Sequence, residues 1–430
     1  MSNSYINTTY GIVNSNWPIH KFIDYVFFQE GPGLRKWQWT DSGMKVINVT
    51  NILSDGTIDV NNTDRYISLN EFNNKYKHFA IDNSDVVIAS SGNTYGKVGR
   101  IKSEHLPVMM NTSVIRLRPL HNNHLDPEYL YAFLRCPFFK NQIEAYVIGS
   151  AQPNFGPSHL KLMDIIIPPF QVQQKIGAVI SAYDELIENN TRRIKIIEEM
   201  AQNLYREWFV KFRFPGHEEV KMVESELGMI PEGWEQNKLG DISQEVRRNI
   251  SPCKIEPDTP YFGLEHLPRK SIALADWGKA SEVQSTKLSF NKGEILFGKI
   301  RPYFHKVGVA PVNGICSTDA IVIVPKKPEW FGITLSCVSS EAFVSHASQT
   351  SQGTKMPRAN WDILVKFPIL LPPEPILAEF NNHIDSAVKL INILLMKNRN
   401  LSRTRDLLLP KLISGELDVE NLDIDIGVAT

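Results

Sequence analysis

Slid onto itself by 204 positions, the chain matches without a gap: Gly149 falls on Gly353, Pro153 on Pro357, Leu160 on Leu364, Pro168-Pro169 on Pro372-Pro373, Ile180 on Ile384, Ile187 on Ile391 and Leu204 on Leu408. Each half therefore ends in the same order: a polar loop with Gly and Pro, an apolar strand, a Pro-Pro break, then a long helix. A duplicated unit gives one chain two similar binding surfaces related by an approximate twofold. That geometry suits a target that itself has two parts.

At 430 residues the chain is too long for a single core, and at least two domains are expected. Asp85-Val-Val-Ile-Ala and Ser113-Val-Ile-Arg-Leu read as strands from their β-branched content. Residues 127–139 read as a helix, with Asp126 as N-cap and Pro127 at the first helical position. The same order recurs: Glu294-Ile-Leu-Phe matches the first strand, Ala320-Ile-Val-Ile-Val the second, and residues 332–343 the helix. The expected fold is α+β, two similar domains separated by an antiparallel two-helix coiled coil. The expected boundaries are 1–165 and 233–367 for the domains, 166–232 and 368–422 for the helical spacers, and 423–430 for a flexible tail.

The spacers carry a sustained 4-3 apolar ladder. The first runs Ile176, Ile180, Tyr183, Ile187, Asn190, Ile194, Ile197, Ala201, Leu204, Trp208. The second runs Phe380, Ile384, Ala387, Ile391, Leu394, Asn398, Leu401, Arg405, Leu408, Leu412. This spacing is a coiled-coil seam, and neither helix is stable with such a stripe exposed, so each is the natural partner of the other. The helices are expected from 169 to roughly 215 and from 375 to roughly 410, about 50–70 Å each at 1.5 Å per residue. A whole domain separates them, so antiparallel packing is the simplest return. Asn190 and Asn398 are either solvated seam positions or fix the register.

Composition is that of an ordinary globular chain, with a formal net charge of −1, so any nucleic-acid surface has to be a local patch. The amino terminus lacks a basic segment followed by an apolar run, and no apolar stretch is long enough to span a membrane; a cytoplasmic protein is expected. Cys136, Cys253, Cys316 and Cys337 lack metal or disulfide spacing. Gly293-Glu-Ile-Leu-Phe-Gly298-Lys299 has phosphate-loop spacing, but Ile300 stands where magnesium needs Ser or Thr, and the intervening residues are strand-like. The histidines lack ligand spacing. No cofactor, metal or catalytic residue is expected.

Three long regions then resemble a known family. Leu204-Tyr-Arg-Glu-Trp-Phe-Val-Lys-Phe-Arg-Phe-Pro-Gly216 with Ser225-Glu-Leu-Gly-Met-Ile-Pro-Glu-Gly-Trp234 resembles the central conserved region of the specificity subunits of Type I restriction-modification systems. Leu407-Leu-Leu-Pro-Lys-Leu-Ile-Ser-Gly-Glu-Leu417 resembles that family's C-terminal conserved region. The segment from Gly293 to Gly308, with Ile315-Cys-Ser-Thr-Asp319, resembles one recurrent type of second target-recognition domain. The resemblance covers nearly the whole chain. It implies a non-catalytic subunit whose two domains each read half of a bipartite site on double-stranded DNA. The helix pair would be a ruler and the dock for two methyltransferase subunits, through which nuclease-translocase subunits join. A related system that cuts on both sides of its target fits the same features. A DNA-modifying enzyme with an unrecognised motif, or a coiled-coil scaffold that does not touch DNA, are the readings from other classes.

Candidate DNA contacts follow from residue chemistry. In the first domain Ser91, Asn93, Thr94, Tyr95 and Lys97 lie in a glycine-rich loop after an apolar strand, where amide, hydroxyl, aromatic and cationic groups could meet phosphates and base edges. An ordinary surface hairpin is the alternative. In the second domain Lys299, Arg301, Tyr303 and His305 would share one face of an extended segment, with Lys306 following; a solvated edge strand is the alternative. The second pair of loops offers Gln152 and Asn154, and Gln352, Thr354, Lys355 and Arg358. Gln and Asn suit adenine edges, while Arg and Lys suit guanine or phosphate, so the two half-sites are expected to differ. Arg192, Arg193, Lys195 and Arg206 alternate with glutamates and read as a solvated helix face.

Overall fold

The structure is a computed structural model that describes residues 5–53, 55–61, 63, 65–92, 95–147 and 154–426. Its contacts divide the chain into two units, Met1–Glu185 with Ser402–Thr430, and Leu186–Leu401. Each unit takes one α+β domain together with a stretch of both long helices.

The repeat read from the sequence is carried strand by strand. The first unit holds a four-stranded antiparallel sheet in the order Val26–Glu30, Val114–Pro119, Val86–Ala89, Val98–Arg100. The second holds Ser243–Glu245, Ala320–Pro325, Ile295–Gly298, Val307–Val309 in the same order. All four residues of Val86–Ala89 and of Ile295–Gly298 are buried, as continuous apolar runs require when both faces are covered. A parallel pairing recurs too, Met44–Ile47 with Val108–Met110 and Pro260–Phe262 with Gly314–Cys316. So does the strand pair that closes each domain, Ile19–Lys21 with Asp164–Ile166 and Glu235–Lys238 with Pro368–Leu371.

The first helix of each domain is shorter than the sequence led us to expect. Asp126 caps Pro127–Arg135, accepting from the Tyr129 amide at 2.9 Å, but the helix stops at Cys136 and a second begins at Pro137. Proline disfavours a helical residue before it, and Cys136 is extended. The equivalent stretch is likewise two helices, Phe331–Val338 and Glu341–Gln349, with Ser340 capping the second through the Phe343 amide.

The first long helix runs over Phe170–Tyr205 and widens into a π-type turn at Arg206–Val210, so it stops short of Pro215. The second runs over Glu374–Ser414, past Pro410. That proline removes one backbone donor in the last turns of the helix, which closes at Gly415 with φ +76°.

Within each unit the helices pair antiparallel. In the second unit the Asn190 side chain donates to that of Asn398 at 2.9 Å, Ile194 packs in one cluster with Ile391, Leu394 and Leu395, and Phe380 meets the rings of Tyr205, Trp208 and Phe209. Residue numbers rise along one helix as they fall along the other. Asn398 also donates to the Ile187 carbonyl at 3.2 Å and to Thr191 at 3.1 Å, so this pair is hydrogen-bonded rather than merely solvated. In the first unit Asp184 meets Arg405, and Lys175 donates to the Glu420 carbonyl. Of the seam ladder, Ile176, Ile180, Ile194, Phe380, Ile384, Ile391 and Leu394 are buried, while Tyr183, Ile187, Ile197, Leu204, Leu401 and Leu408 are partly buried.

Each domain is fastened to a long helix by a carboxylate. Glu198 accepts from the Ser271 hydroxyl at 2.7 Å and from the amides of Ile272 and Ala273 at 2.7 and 3.1 Å. Its burial pushes its pKa up, opposed by those hydrogen bonds. In the first unit Glu128 pairs with Arg100 and accepts from Ser181 at 2.6 Å.

Candidate DNA-recognition edges

In each unit the two candidate loops, far apart in sequence, are joined by backbone pairing. In the second unit the strand Ile295–Gly298 delivers Lys299, whose carbonyl accepts from the Ala359 amide at 2.9 Å. The Arg301 amide donates to the Pro357 carbonyl at 2.7 Å, and Ile300 bridges Arg358. Arg358 pairs back to Gln352 through two amide bonds of 2.9 and 3.0 Å. Lys299, Arg301, Gln352 and Arg358 thus lie on one three-ply edge. Beside it is an open groove of about 490 Å³, lined by Arg247, Lys299, Gln352, Arg358, Asn360 and Trp361 among others. Gln352, Thr354, Lys355 and Arg358 are exposed. Arg358 lies 3.5 Å from Asp319, and Arg247 is paired with Glu245 at 2.8 Å. The edge therefore mixes cations, acids and amides. Arginine and amide side chains are the groups that make paired hydrogen bonds to base edges.

The alternating face expected over residues 299–305 is not formed. The strand ends at Gly298, and Pro302–Phe304 is a 3-10 turn flanked by Arg301 and His305, both left-handed with φ 49° and 52°. Pro302 fixes its own φ and supplies no ladder donor, so the run cannot continue as a strand. Tyr303 is left exposed at the apex, at 55%. His305 turns inward, 8% exposed, with Nε2 placed to donate to the Ser339 carbonyl at 2.8 Å. Lys306 donates to the Leu264 carbonyl, and its pKa is lowered by burial and then by nearby Arg269. His305 and Lys306 thus hold the turn from below.

The first unit repeats the joint. Ser91 bridges Asn154, and the Phe155 amide donates to the Ser90 carbonyl at 3.0 Å. The hairpin around Gly92 closes through Tyr95 to Gly92 at 3.1 Å and Gly96 to Ala89 at 2.8 Å. Asn154 is exposed and Ser91 partly so. Tyr95 and Lys97 line a hollow of about 560 Å³ that also receives Arg135, Lys140 and Arg405. Asn93, Thr94 and Gln152 lie outside the described residues.

Sequence reasoning missed one exposed group. Trp37, 77% exposed, stands on the turn Lys36–Gln38 beside Arg35 and Lys36. The signal was the basic, acid-free run Gly31-Pro-Gly-Leu-Arg-Lys-Trp-Gln-Trp39. Among the described residues no group of His, Cys, Asp and Glu could hold a metal ion, and no helix is long and apolar enough to cross a membrane.

Two copies of one domain, each presenting a joined pair of polar loops, define a two-part recognition protein. The chain is similar along most of its length to the specificity subunits of Type I restriction-modification systems. A family model described as the Type I restriction modification DNA specificity domain matches residues 28–199. The Type I restriction enzyme MjaIX specificity subunit of Methanocaldococcus jannaschii is 28% identical over 309 residues, 69% of this chain and 70% of that one. The EcoDI specificity subunit of Escherichia coli is 23% identical over 414 residues, 87% of this chain and 89% of its own. Among solved structures, the Type I system S subunit from M. genitalium shares the fold, with a TM-score of 0.55 at 15% identity, covering 96% of this chain and 99% of that one.

Proposed function

We propose that this chain is the non-catalytic subunit that selects the DNA sequence in a Type I restriction-modification complex, with each domain reading one half of a bipartite site. The observation that carries this is the joined loop pair, Ser91 with Asn154 and Ile300 with Arg358, at equivalent places in the two copies. The two edges differ in chemistry. The first shows Ser91 and Asn154 at its joint, while the second shows Lys299, Gln352 and Arg358, so unlike half-sites are expected. The paired helices act as the ruler between readers and as the dock for two methyltransferase subunits. Nuclease-translocase subunits join through those, and modification and cleavage reside in these cytoplasmic partners. The complex works without a cofactor bound to this chain.

The test is methylation-site sequencing of DNA from cells that express this chain with its cognate methyltransferase. The expected result is one split motif, two short unlike half-sites with an unspecified gap, lost when this chain is omitted. Methylation that does not depend on this chain would overturn the proposal.

A further inference from the structure

Trp37 is an unusual residue to leave in water. It is the most exposed large apolar side chain among the described residues, and the turn that presents it is tied down by hydrogen bonds. Gln38, the next residue, is buried and makes three hydrogen bonds: its Oε1 accepts from the Arg35 amide at 2.8 Å, and its Nε2 donates to Glu71 at 2.7 Å and to the Tyr76 hydroxyl at 3.0 Å. On the far side Trp39 is covered by the Arg65 guanidinium at 5.6 Å. The polar residue is inside, the indole outside, and Arg35 and Lys36 are exposed beside it.

The turn also leaves the sheet at the right place. Val26–Glu30 and Val86–Ala89 both pair antiparallel with Val114–Pro119, so they run the same way and end at the same edge. There the Gly31 amide donates to Val114 at 3.0 Å and the Ser90 amide to Ser113 at 2.9 Å. The exit is tight, because a Cβ on Gly31 would stand 2.2 Å from the Asn111 carbonyl oxygen. The loop that joins Asn154 and the turn that carries Trp37 therefore rise from one end of one sheet. The second unit offers a parallel, with Tyr303 exposed on a turn pinned by buried His305.

The geometry points to Trp37 as an aromatic DNA contact of the first domain, laid against sugars and base edges of the first half-site while Arg35 and Lys36 meet the flanking phosphates. This deepens the proposed function and rests on it. An exposed aromatic preceded by two cations suits the sugars and base edges of a duplex groove next to its phosphates, and such an apolar contact tolerates aromatic exchange.

The experiment is DNA affinity by fluorescence anisotropy, using the chain assembled with its methyltransferase and a duplex carrying the mapped site, at two salt concentrations. Trp37→Ala is expected to weaken binding about tenfold or more, and Trp37→Phe to stay within about threefold. Lys36→Ala is expected to lower the salt slope by about one unit, and Trp37→Ala to leave it unchanged. The melting temperature of both Trp37 variants should match the wild type, because the side chain is exposed. Trp37→Ala binding as wild type would overturn the inference while leaving the proposed function standing. Equal losses for Ala and Phe with a lowered melting temperature would overturn it as a folding effect. A wild-type complex without selective binding would overturn both.

Discussion

Asp184→Ala is expected to destabilise the unit formed by Met1–Glu185 and Ser402–Thr430 by about 3 kcal/mol, at the low end of the cost of breaking a buried ion pair. Asp184 joins two arginines. Arg135 reaches it at 2.5 and 3.2 Å, and Arg405 at 2.6 Å. Arg405 is 9% exposed, and Arg135 is stacked on Tyr131 at 4.7 Å. Burial opposes the charge on Arg135, but Tyr131 and Asp184 outweigh it and hold its pKa above the usual arginine range. Without Asp184, Arg135 loses its ion-pair partner and Arg405 keeps only the exposed Asp406. Since Asp184 is itself partly exposed and Arg405 retains a partner, the larger figures for fully buried pairs do not apply. Thermal unfolding should show the transition of this unit lowered by about 6–12 °C. Asp184→Asn, which keeps the acceptor oxygen, should cost less. An unchanged melting curve for Asp184→Ala would contradict this account of the seam. At the same layer of the other repeat the chain places Ala201 and Val388, both in that unit's apolar cluster, so the charged layer is a property of one half only.

The second large effect is on the site itself. One heptad added after Asn190 and one at Asn398 lengthens each helix by about 10 Å. The Asn190–Asn398 pair is a suitable place, because both insertions fall at one hydrogen-bonded layer of the seam. If the helices are the ruler, the methylated motif should keep both half-sites and gain about three base pairs of gap, at 3.4 Å each. The wild-type site should no longer be methylated. New bases with the old gap would count against the ruler.

How much of this was legible beforehand depends on the kind of interaction involved. The repeat, the sheet strands and the seam rest on local pattern, and Val86–Ala89 and Ile295–Gly298 lie where β-branched and apolar runs placed them. The misjudged details each involve proline. Cys136-Pro137 breaks a helix that was read as continuous, Pro410 fails to end one, and Pro302 turns a run whose alternation resembled a strand. The outcome in each case is set by which backbone donor the position can spare. Other features are tertiary and leave little trace in the sequence. Asp184 sits beside the seam ladder, not on it, and its role appears only when Arg135 arrives from another helix. Gln38 is buried and Trp37 exposed, the reverse of their polarity, because Glu71 and Tyr76 satisfy the amide. The pairing of the two loops was foreseen only as equivalence between the halves. That Ser91 meets Asn154 and Ile300 meets Arg358 required the fold.

The central claim is that each domain reads its own half of the target, and the double variant Lys299→Ala with Arg358→Ala tests it most directly. Both side chains line one groove in the second unit. A base contact by either contributes about 1–3 kcal/mol of discrimination, and distant sites add independently. Methylation-site sequencing of DNA modified by this variant with its methyltransferase should show one half-site relaxed at one or more positions and the other half-site intact. Both half-sites unchanged, or both degraded together, would contradict the account.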